Sequence, residues 1–509
     1  MHIDARTLEN GSLIEGDLCI IGAGAAGISM ALEWIGTGAR VLLLEGGGFD
    51  YDPRLQDLFR GEVIGQPYNF PLEAVRLHYF GGTTGHWAGF CAPYDPIDFE
   101  QRDWVPYSGW PISRADLDPF YARAQALPEL GPYEYDAAFW EAQDPERVRL
   151  PLDQGIAWTK MWQFSPPTRF GTLYREAIVN APNVHLYTYA NVTELQANES
   201  VSAADGLRVR TIDGKEHRVR ARYYVMACCS LQNARMLLAS NRQASAGLGN
   251  DHDLVGRFFM EHFEMPGAQL VLAQATPMKM YQWNWGATKA RGELALSEAS
   301  QRRHGILNGT ASLRPGVFGE ELMGSFQFIQ RMREEGADLR NIDRRRPPPE
   351  ASPAQQREFQ LHTRQEQAPN PSSRVTLSTE RDALGVPRVQ LNWQLTALDK
   401  RSIRTFYEVL GRELGRSGIG RIRLLDWLLD PDDSTWPPFL SGGWHHMGTT
   451  RMNPDPKQGV VDVDARVHGL ANLYVAGASV YPTAGSANPT LTLIALSLRL
   501  SDHLKTKLG

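Results

Sequence analysis

Apolar residues are not evenly spread along the chain, and their spacing predicts its elements. An apolar run, LCII at 18–21, gives way to GAGAAG, then to helix-like spacing as far as about Trp34, then to RVLLLE at 40–45. Strand, glycine-rich turn, helix and second strand make a βαβ unit. A further buried strand is predicted at 223–227, followed by a helix over SLQNARMLLAS, as a return into the same sheet. From about Phe263 to Trp436 the texture changes to alternating segments, GAQLVLA, SRVTLS and RVQLNWQL, which predict antiparallel strands. After residue 440 the first pattern resumes, with NLYVAG at 472–477 as a strand and a helix from Pro489. That helix carries Leu491, Ile494, Ala495 and Leu498 three and four apart. The expected fold is α/β plus α+β. A discontinuous first domain takes residues 1–155, 180–260 and 437–509, and a second, on an antiparallel sheet, takes 156–179 and 261–436.

Two segments lack a clean period. HYFGGTTGHWAG at 78–89 reads as a loop placed against a ligand, and the charged, proline-rich run at 332–359 as an exposed loop. The part around 340–358 is a solvated connection on one reading and a lid or docking loop on the other.

At 509 residues the chain exceeds what one core usually organises, which agrees with two domains. Hydrophobic residues make up 42% and charged ones 22%, so the chain is neither disordered nor fibrous. A net charge of -6 gives no general attraction to phosphate backbones or anionic lipid, which leaves small molecules as the expected partners. Cys19, Cys91, Cys228 and Cys229 offer no disulfide framework, metal spacing or iron-sulfur grouping. The N-terminus has neither a basic nor an apolar signal region, so a cytoplasmic location is expected, with export beside a partner subunit as the alternative. The apolar stretch 18–35 contains glycines and Glu33 and is read as part of the βαβ unit, not as a membrane span.

Gly22, Gly24 and Gly27 form G-x-G-x-x-G between strand and helix, with Ala25 and Ala26 completing the turn. In that context the first glycine makes the turn, the second lets backbone approach a pyrophosphate, and the third permits close helix packing. Glu45 ends the second strand about 20 residues on, where its carboxylate accepts ribose hydroxyls and repels a 2'-phosphate, disfavouring NADP. The fingerprint alone leaves NAD and FAD open.

The remaining motifs are GGWHHMGTTRM at 442–452, AGASVYPTAGSANPTLTL at 476–493 and GGTTGHW at 81–87. With GAGAAG and Glu45 they resemble the glucose-methanol-choline (GMC) oxidoreductase family, nearest its sugar- and glycoside-oxidising branch (pyranose 2-oxidase, glucoside 3-dehydrogenase and fructose dehydrogenase-like). The resemblance covers most of the first domain. It implies a Rossmann-type FAD-binding domain and FAD as cofactor. It places His445 of H-x-x-G-T at the catalytic base position and Asn488 at its partner position. His446, the neighbour of the base, and Gln367 are candidate substrate contacts. A neutral imidazole accepts an alcohol proton near neutral pH without large tuning, and an amide N–H stabilises the developing alkoxide. Gly81, Gly82, Thr83, His86, Trp87, Val192, Gly477, Ala478, Pro489 and Thr490 are implied cofactor contacts. In some relatives the histidine at the His86 position is joined covalently to FAD. Here His86 is read as packing beside the flavin, with the covalent link as the alternative. Asn488 before Pro489 also reads as a helix N-cap.

One departure is Ala227-Cys228-Cys229-Ser230, where similar enzymes carry glycines; contacts at that turn then require a backbone with negative φ. Both thiols read as buried and inert. Glu366, Gln367 and Asn370, together with Trp283, Trp285 and Trp436, are candidates for sugar contacts, with turn and core roles as their alternatives. The expected function is FAD-dependent oxidation of a CH-OH group of a sugar, glycoside, amino sugar or related polyol. Oxygen, a quinone or a redox protein would take the electrons. The alternatives are a hydroxynitrile-lyase-like enzyme with non-redox flavin, and a flavoprotein subunit needing a partner.

Overall fold

A computed structural model describes residues 1–68, 70–282, 288–316 and 357–509. Its eight-stranded sheet contains the parallel order His2–Asp4, Val184–Thr188, Val41–Leu44, Leu13–Ile21 and Glu216–Met226. Leu473–Val475 adds in parallel to one end of Glu216–Met226, and the hairpin of Asn191–Ala197 and Ala204–Arg210 adds antiparallel to the other. Parallel strands need cover on both faces. Val41, Leu42, Leu43 and Leu44 are accordingly all buried, and the helices Ala25–Glu33 and Pro489–Leu508 pack on one another. Helix Pro489–Leu508 is the one read from the spacing of Leu491, Ile494, Ala495 and Leu498, all of them buried.

The second sheet has seven strands, all paired antiparallel, in the order Gly420–Leu424, Phe263–Leu272, Glu358–Gln365, Gly309–Pro315, Lys289–Leu296, Ala157–Phe164 and Phe90–Cys91. The strands expected at SRVTLS and RVQLNWQL lie outside it. As Arg374–Arg381 and Pro387–Asn392 they pair with each other and, through the second, with Gly61–Val63. The mixed α/β plus α+β fold read from the hydrophobic pattern is the fold observed.

The longest of the elements that went unread is a helix. The helix Ala397–Arg416 lies inside the stretch taken as strands, and a capping box starts it: Asp399 Oδ2 accepts from Thr396 N at 2.6 Å. Residues 340–356 of the expected loop, Trp283 and Trp285 lie outside the described residues, whereas Glu358, read as the end of that loop, begins the strand Glu358–Gln365. Among the described residues no helix is long and apolar enough to cross a membrane.

Candidate active site

The glycine-rich turn is built as its sequence requires. Gly22 has φ +103°, and a Cβ on Gly27 would sit 1.9 Å from Gly22 O, so helix and strand meet there with no room for a side chain. A Cβ on Gly24 would meet no protein atom within 4 Å, and Gly24 lines a cavity of about 1770 Å³. The space over this glycine is therefore left for a ligand, at the start of the helix Ala25–Glu33, where free N–H groups favour phosphate. Glu45 pins the turn, its Oε2 accepting from Ala23 N at 3.0 Å and its Oε1 from Gly47 N at 2.8 Å, and it lines the same cavity.

The GGTTG segment folds over that turn. Gly81, with φ +99°, donates its N–H to Ala23 O at 2.8 Å, and a Cβ on Gly82 would lie 3.1 Å from Gly24 Cα. Gly82, Thr83, His86, Trp87, Val192, Gly477 and Ala478 line the cavity, as do Ala25, Ala26, Asn488, Pro489 and Thr490. Gly81 and Gly27 stand behind its wall and set the approach of other backbone. Trp87 is oriented by its indole N–H, which donates to Thr168 O at 2.8 Å. At the turn that lacks glycine, Cys229 has φ -65°, so no positive φ is asked of it. Cys228 and Cys229 line the cavity, and the Cys228 thiol donates to Ile21 O at 3.2 Å. A volume well above the roughly 300–1,000 Å³ typical of one small ligand gives room for a dinucleotide and a substrate together. The glycine cradle, the helix start and Glu45 fit FAD.

At the other end the cavity reaches His445. Residues 260–264 run antiparallel to 441–447: Met260 and Met447 exchange both backbone hydrogen bonds at 3.0 Å, Gly443 donates to His262 O and Glu264 donates to Ser441 O. This pairing sets His262 beside His445. Carbonyl oxygens only accept, so His262 Nε2, 3.1 Å from Ala484 O and 2.9 Å from Gly485 O, carries the ring proton. Burial lowers the His262 pKa to about 4, so the ring is neutral and its Nδ1 is an acceptor. His445 Nδ1, 3.0 Å away, must then donate to it. His445 Nε2 keeps its lone pair and receives an N–H from Asn488 Nδ2 at 3.0 Å. The Trp162 indole, a donor only, donates to Asn488 Oδ1 at 3.3 Å and so fixes which way the amide faces.

Asn488 is therefore not a side-chain cap. It precedes the helix Pro489–Leu508 but makes no capping hydrogen bond. Its amide is committed to His445 and Trp162, which corrects the sequence reading that one residue does both. The helix starts at the cavity with its first N–H groups uncapped by that side chain.

Glu261 binds the backbone of both histidines. Its Oε1 accepts from His262 N at 3.0 Å and His445 N at 2.5 Å, and its Oε2 accepts from the Tyr68 hydroxyl at 2.6 Å. A Cβ on Gly442 would lie 2.5 Å from Glu261 Cγ, and one on Gly443 2.6 Å from His445 Nδ1, so the GG of GGWHH is a packing requirement. His446 lines the cavity with Nε2 at 3.0 Å from the Tyr68 hydroxyl. Burial, then His262, lower the His445 pKa to about 3, against a raising effect of Glu264. Burial alone would raise Glu264, but Arg364 and His445 outweigh it and hold the carboxyl at about 2.

Several sequence candidates lie elsewhere. Gln367 is fully buried, and its Oε1 accepts from Glu261 N at 2.9 Å and Trp393 Nε1 at 3.0 Å. It is not among the cavity residues, and its amide supports Glu261 from behind. Glu366 holds Arg102 in a buried ion pair at 2.6 Å, Asn370 makes a local turn with Ser372 N, and Trp436 stacks on Phe263 at 5.1 Å. His262, Glu261, Glu264 and Trp162 were not read from the sequence. The signal for the first three was present in MEHFEM at 260–265, where three ionisable residues stand among apolar ones at the start of a strand.

Such a site on such a fold defines an FAD-dependent oxidoreductase, and residues 17–244 match the family model described as FAD dependent oxidoreductase. Residues 369–497 match the model described as GMC oxidoreductase, so the chain carries a GMC oxidoreductase C-terminal domain beside its FAD oxidoreductase domain. It is 24% identical to 2-methyl-1,2-propanediol dehydrogenase of Mycolicibacterium austroafricanum, over 96% of this chain and 95% of that protein. It is 26% identical to 6'''-hydroxyparomomycin C oxidase of Streptomyces lividus, over 97% and 92%. Among solved structures, pyridoxine 4-oxidase from Mesorbium loti shares the fold with TM-score 0.56 at 17% identity, over 96% of this chain and 99% of that one.

Proposed function

We propose that the protein oxidises a CH-OH group of a sugar, glycoside, amino sugar or related polyol to the carbonyl, with His445 as the base and Asn488 as its partner. The observation that carries this reading is the forced tautomer: His445 Nε2 holds a lone pair beside the Asn488 N–H in the cavity. His445 Nε2 takes the substrate hydroxyl proton, and Asn488 Nδ2 donates to the oxygen as it gains alkoxide character. FAD, when bound, supplies the acceptor for the hydride that leaves the same carbon. His262 keeps the base in its working tautomer, and Glu264, 4.0 Å from His445 Nδ1, compensates the imidazolium that forms. Trp162 and Glu261 orient the pair. The relatives named for a diol and for an aminoglycoside support the substrate class. Electrons then pass to oxygen, a quinone or a separate redox protein.

An anaerobic absorbance screen of the yellow protein against sugars, glycosides, aminoglycosides and simple alcohols tests the reading. Bleaching by polyols is the expected result. A flavin left oxidised by every one of them transfers the case to a lyase or a partner-dependent subunit.

The pH dependence follows from the burial of His445. The base works in its neutral form, and its pKa lies near 3, so protonation sets in only well below the usual imidazole range. The rate of flavin reduction at saturating substrate is expected to stay level from about pH 8 to about pH 5. Stopped-flow traces that instead lose rate through about pH 6.5 would mean that His445 titrates as a free imidazole.

A further inference from the structure

We infer that Glu264 and Trp444 form a substrate subsite beside His445 that takes a polyhydroxylated ring, a hydroxyl or amine next to the oxidised carbinol donating to Glu264. This rests on the function proposed above and narrows its substrate class.

Glu264 lines the cavity from the strand Phe263–Leu272, and its side chain keeps 29% of its surface. Its two carboxylate oxygens are in different positions. Oε1 accepts from Arg364 Nε at 2.8 Å and lies 4.0 Å from His445 Nδ1. No described residue donates to Oε2. The arrangement is rigid, because Arg364 is also held by Glu293 at 3.3 Å, and Glu293 in turn accepts from Arg291 at 2.5 Å and Thr310 at 2.7 Å. An oriented anionic acceptor with an open lone pair beside the base suits a hydrogen-bond donor on the substrate. His445 Nε2 and Asn488 take the reacting hydroxyl, so the donor for Glu264 is a neighbouring group. A monohydric alcohol has none.

Trp444, directly before His445, supplies the apolar half. Its backbone φ is +61°, an uncommon and costly conformation for a bulky residue and one that recurs at functional sites. The residue is 36% exposed and lines the cavity, and its ring meets Phe70 edge-on at 4.9 Å. A flat apolar ring left partly open on the cavity wall beside the carboxylate matches the C–H face of a sugar or cyclitol ring, as the carboxylate matches its hydroxyls. Small aliphatic alcohols use neither feature.

The test compares a ring polyol that bleaches the flavin with its two analogues deoxygenated on either side of the oxidised carbon, using wild type, Glu264→Gln and Glu264→Leu. In wild type, loss of the donor is expected to cost about 10–100-fold in kcat/KM for one analogue. That penalty is expected to shrink in Glu264→Gln and to fall to about threefold or less in Glu264→Leu, whereas a merely structural role would slow both substrates equally. An undiminished penalty in either variant overturns the Glu264 contact, as does a wild type indifferent to both deletions. If Glu264→Leu fails to bind FAD, Glu264→Gln decides the point. Binding supplies an independent readout: indole fluorescence titrations of Trp444→Ala should show a ring polyol weakened about tenfold more than a small aliphatic diol, with Trp444→Phe restoring most of it. Equal weakening of both ligands overturns the stacking contact. If no polyol bleaches the flavin, the parent reading falls and the subsite with it, whereas bleaching with an undiminished penalty overturns the subsite alone.

Discussion

His445→Ala is expected to slow substrate-driven bleaching of the flavin by about two to four orders of magnitude while the purified protein stays yellow. The cofactor cradle and the surroundings of His445 draw on different residues. The glycines at 22, 24 and 27 and Glu45 make the first, whereas His445 meets Asn488, His262 and Glu261 at the far end of the cavity. Removing the imidazole leaves Asn488 and the cradle in place, so the loss should fall on reduction and not on cofactor content. Asn488→Ala is expected to cost less, since one neutral hydrogen bond to the substrate oxygen is lost and the lone pair of His445 Nε2 remains. Stopped-flow reduction and the ratio of flavin to protein absorbance measure the two quantities separately. Reduction at the wild-type rate in His445→Ala would remove that residue from the chemistry.

Gly27→Val should yield colourless protein. Even the first carbon of a side chain there would lie 1.9 Å from Gly22 O, and the neighbour is backbone, which has no rotamer to escape into. Helix Ala25–Glu33 must then move off the strand Leu13–Ile21, taking with it the N–H groups at the start of the helix and the turn that Glu45 pins through Ala23. Overpacking of this kind costs about 1–3 kcal/mol or more, which is about 5–150-fold in affinity if it falls on the bound state. Flavin content after purification and thermal melting with and without added FAD check this. Full colour at a wild-type melting temperature would show that the close approach is not needed. Gly24→Ala, by contrast, meets no protein atom, so any effect it has on flavin content reports the ligand alone.

How far the site was legible follows from how local its causes are. The G-x-G-x-x-G turn is fixed by sterics within a few residues, and so the pattern of a strand, three glycines and a helix was enough to place it. The H-x-x-G-T and Asn-Pro motifs were legible through a family resemblance, which placed His445 and Asn488 before their 3.0 Å approach was known. The same reasoning had no purchase on Gln367. Its neighbourhood of Asn, Pro and Ser is that of a surface turn, yet the residue is fully buried against Glu261 and Trp393. Nor could it see that Asn488 gives up capping, because the competing partner, Trp162, comes from a strand in the other sheet.

The sequence by itself determined the dinucleotide turn and the two sheet types, because each depends on periodicity or on contacts between near neighbours; it singled out His445 and Asn488 only through the resemblance. The tertiary structure alone decided how the His445 ring is held. The antiparallel pairing of 260–264 with 441–447 sets His262 against His445, and two backbone carbonyls at Ala484 and Gly485 dictate where the ring protons lie. Hydrogen-bond direction and burial belong to groups brought together from distant parts of the chain, and no local pattern carries them.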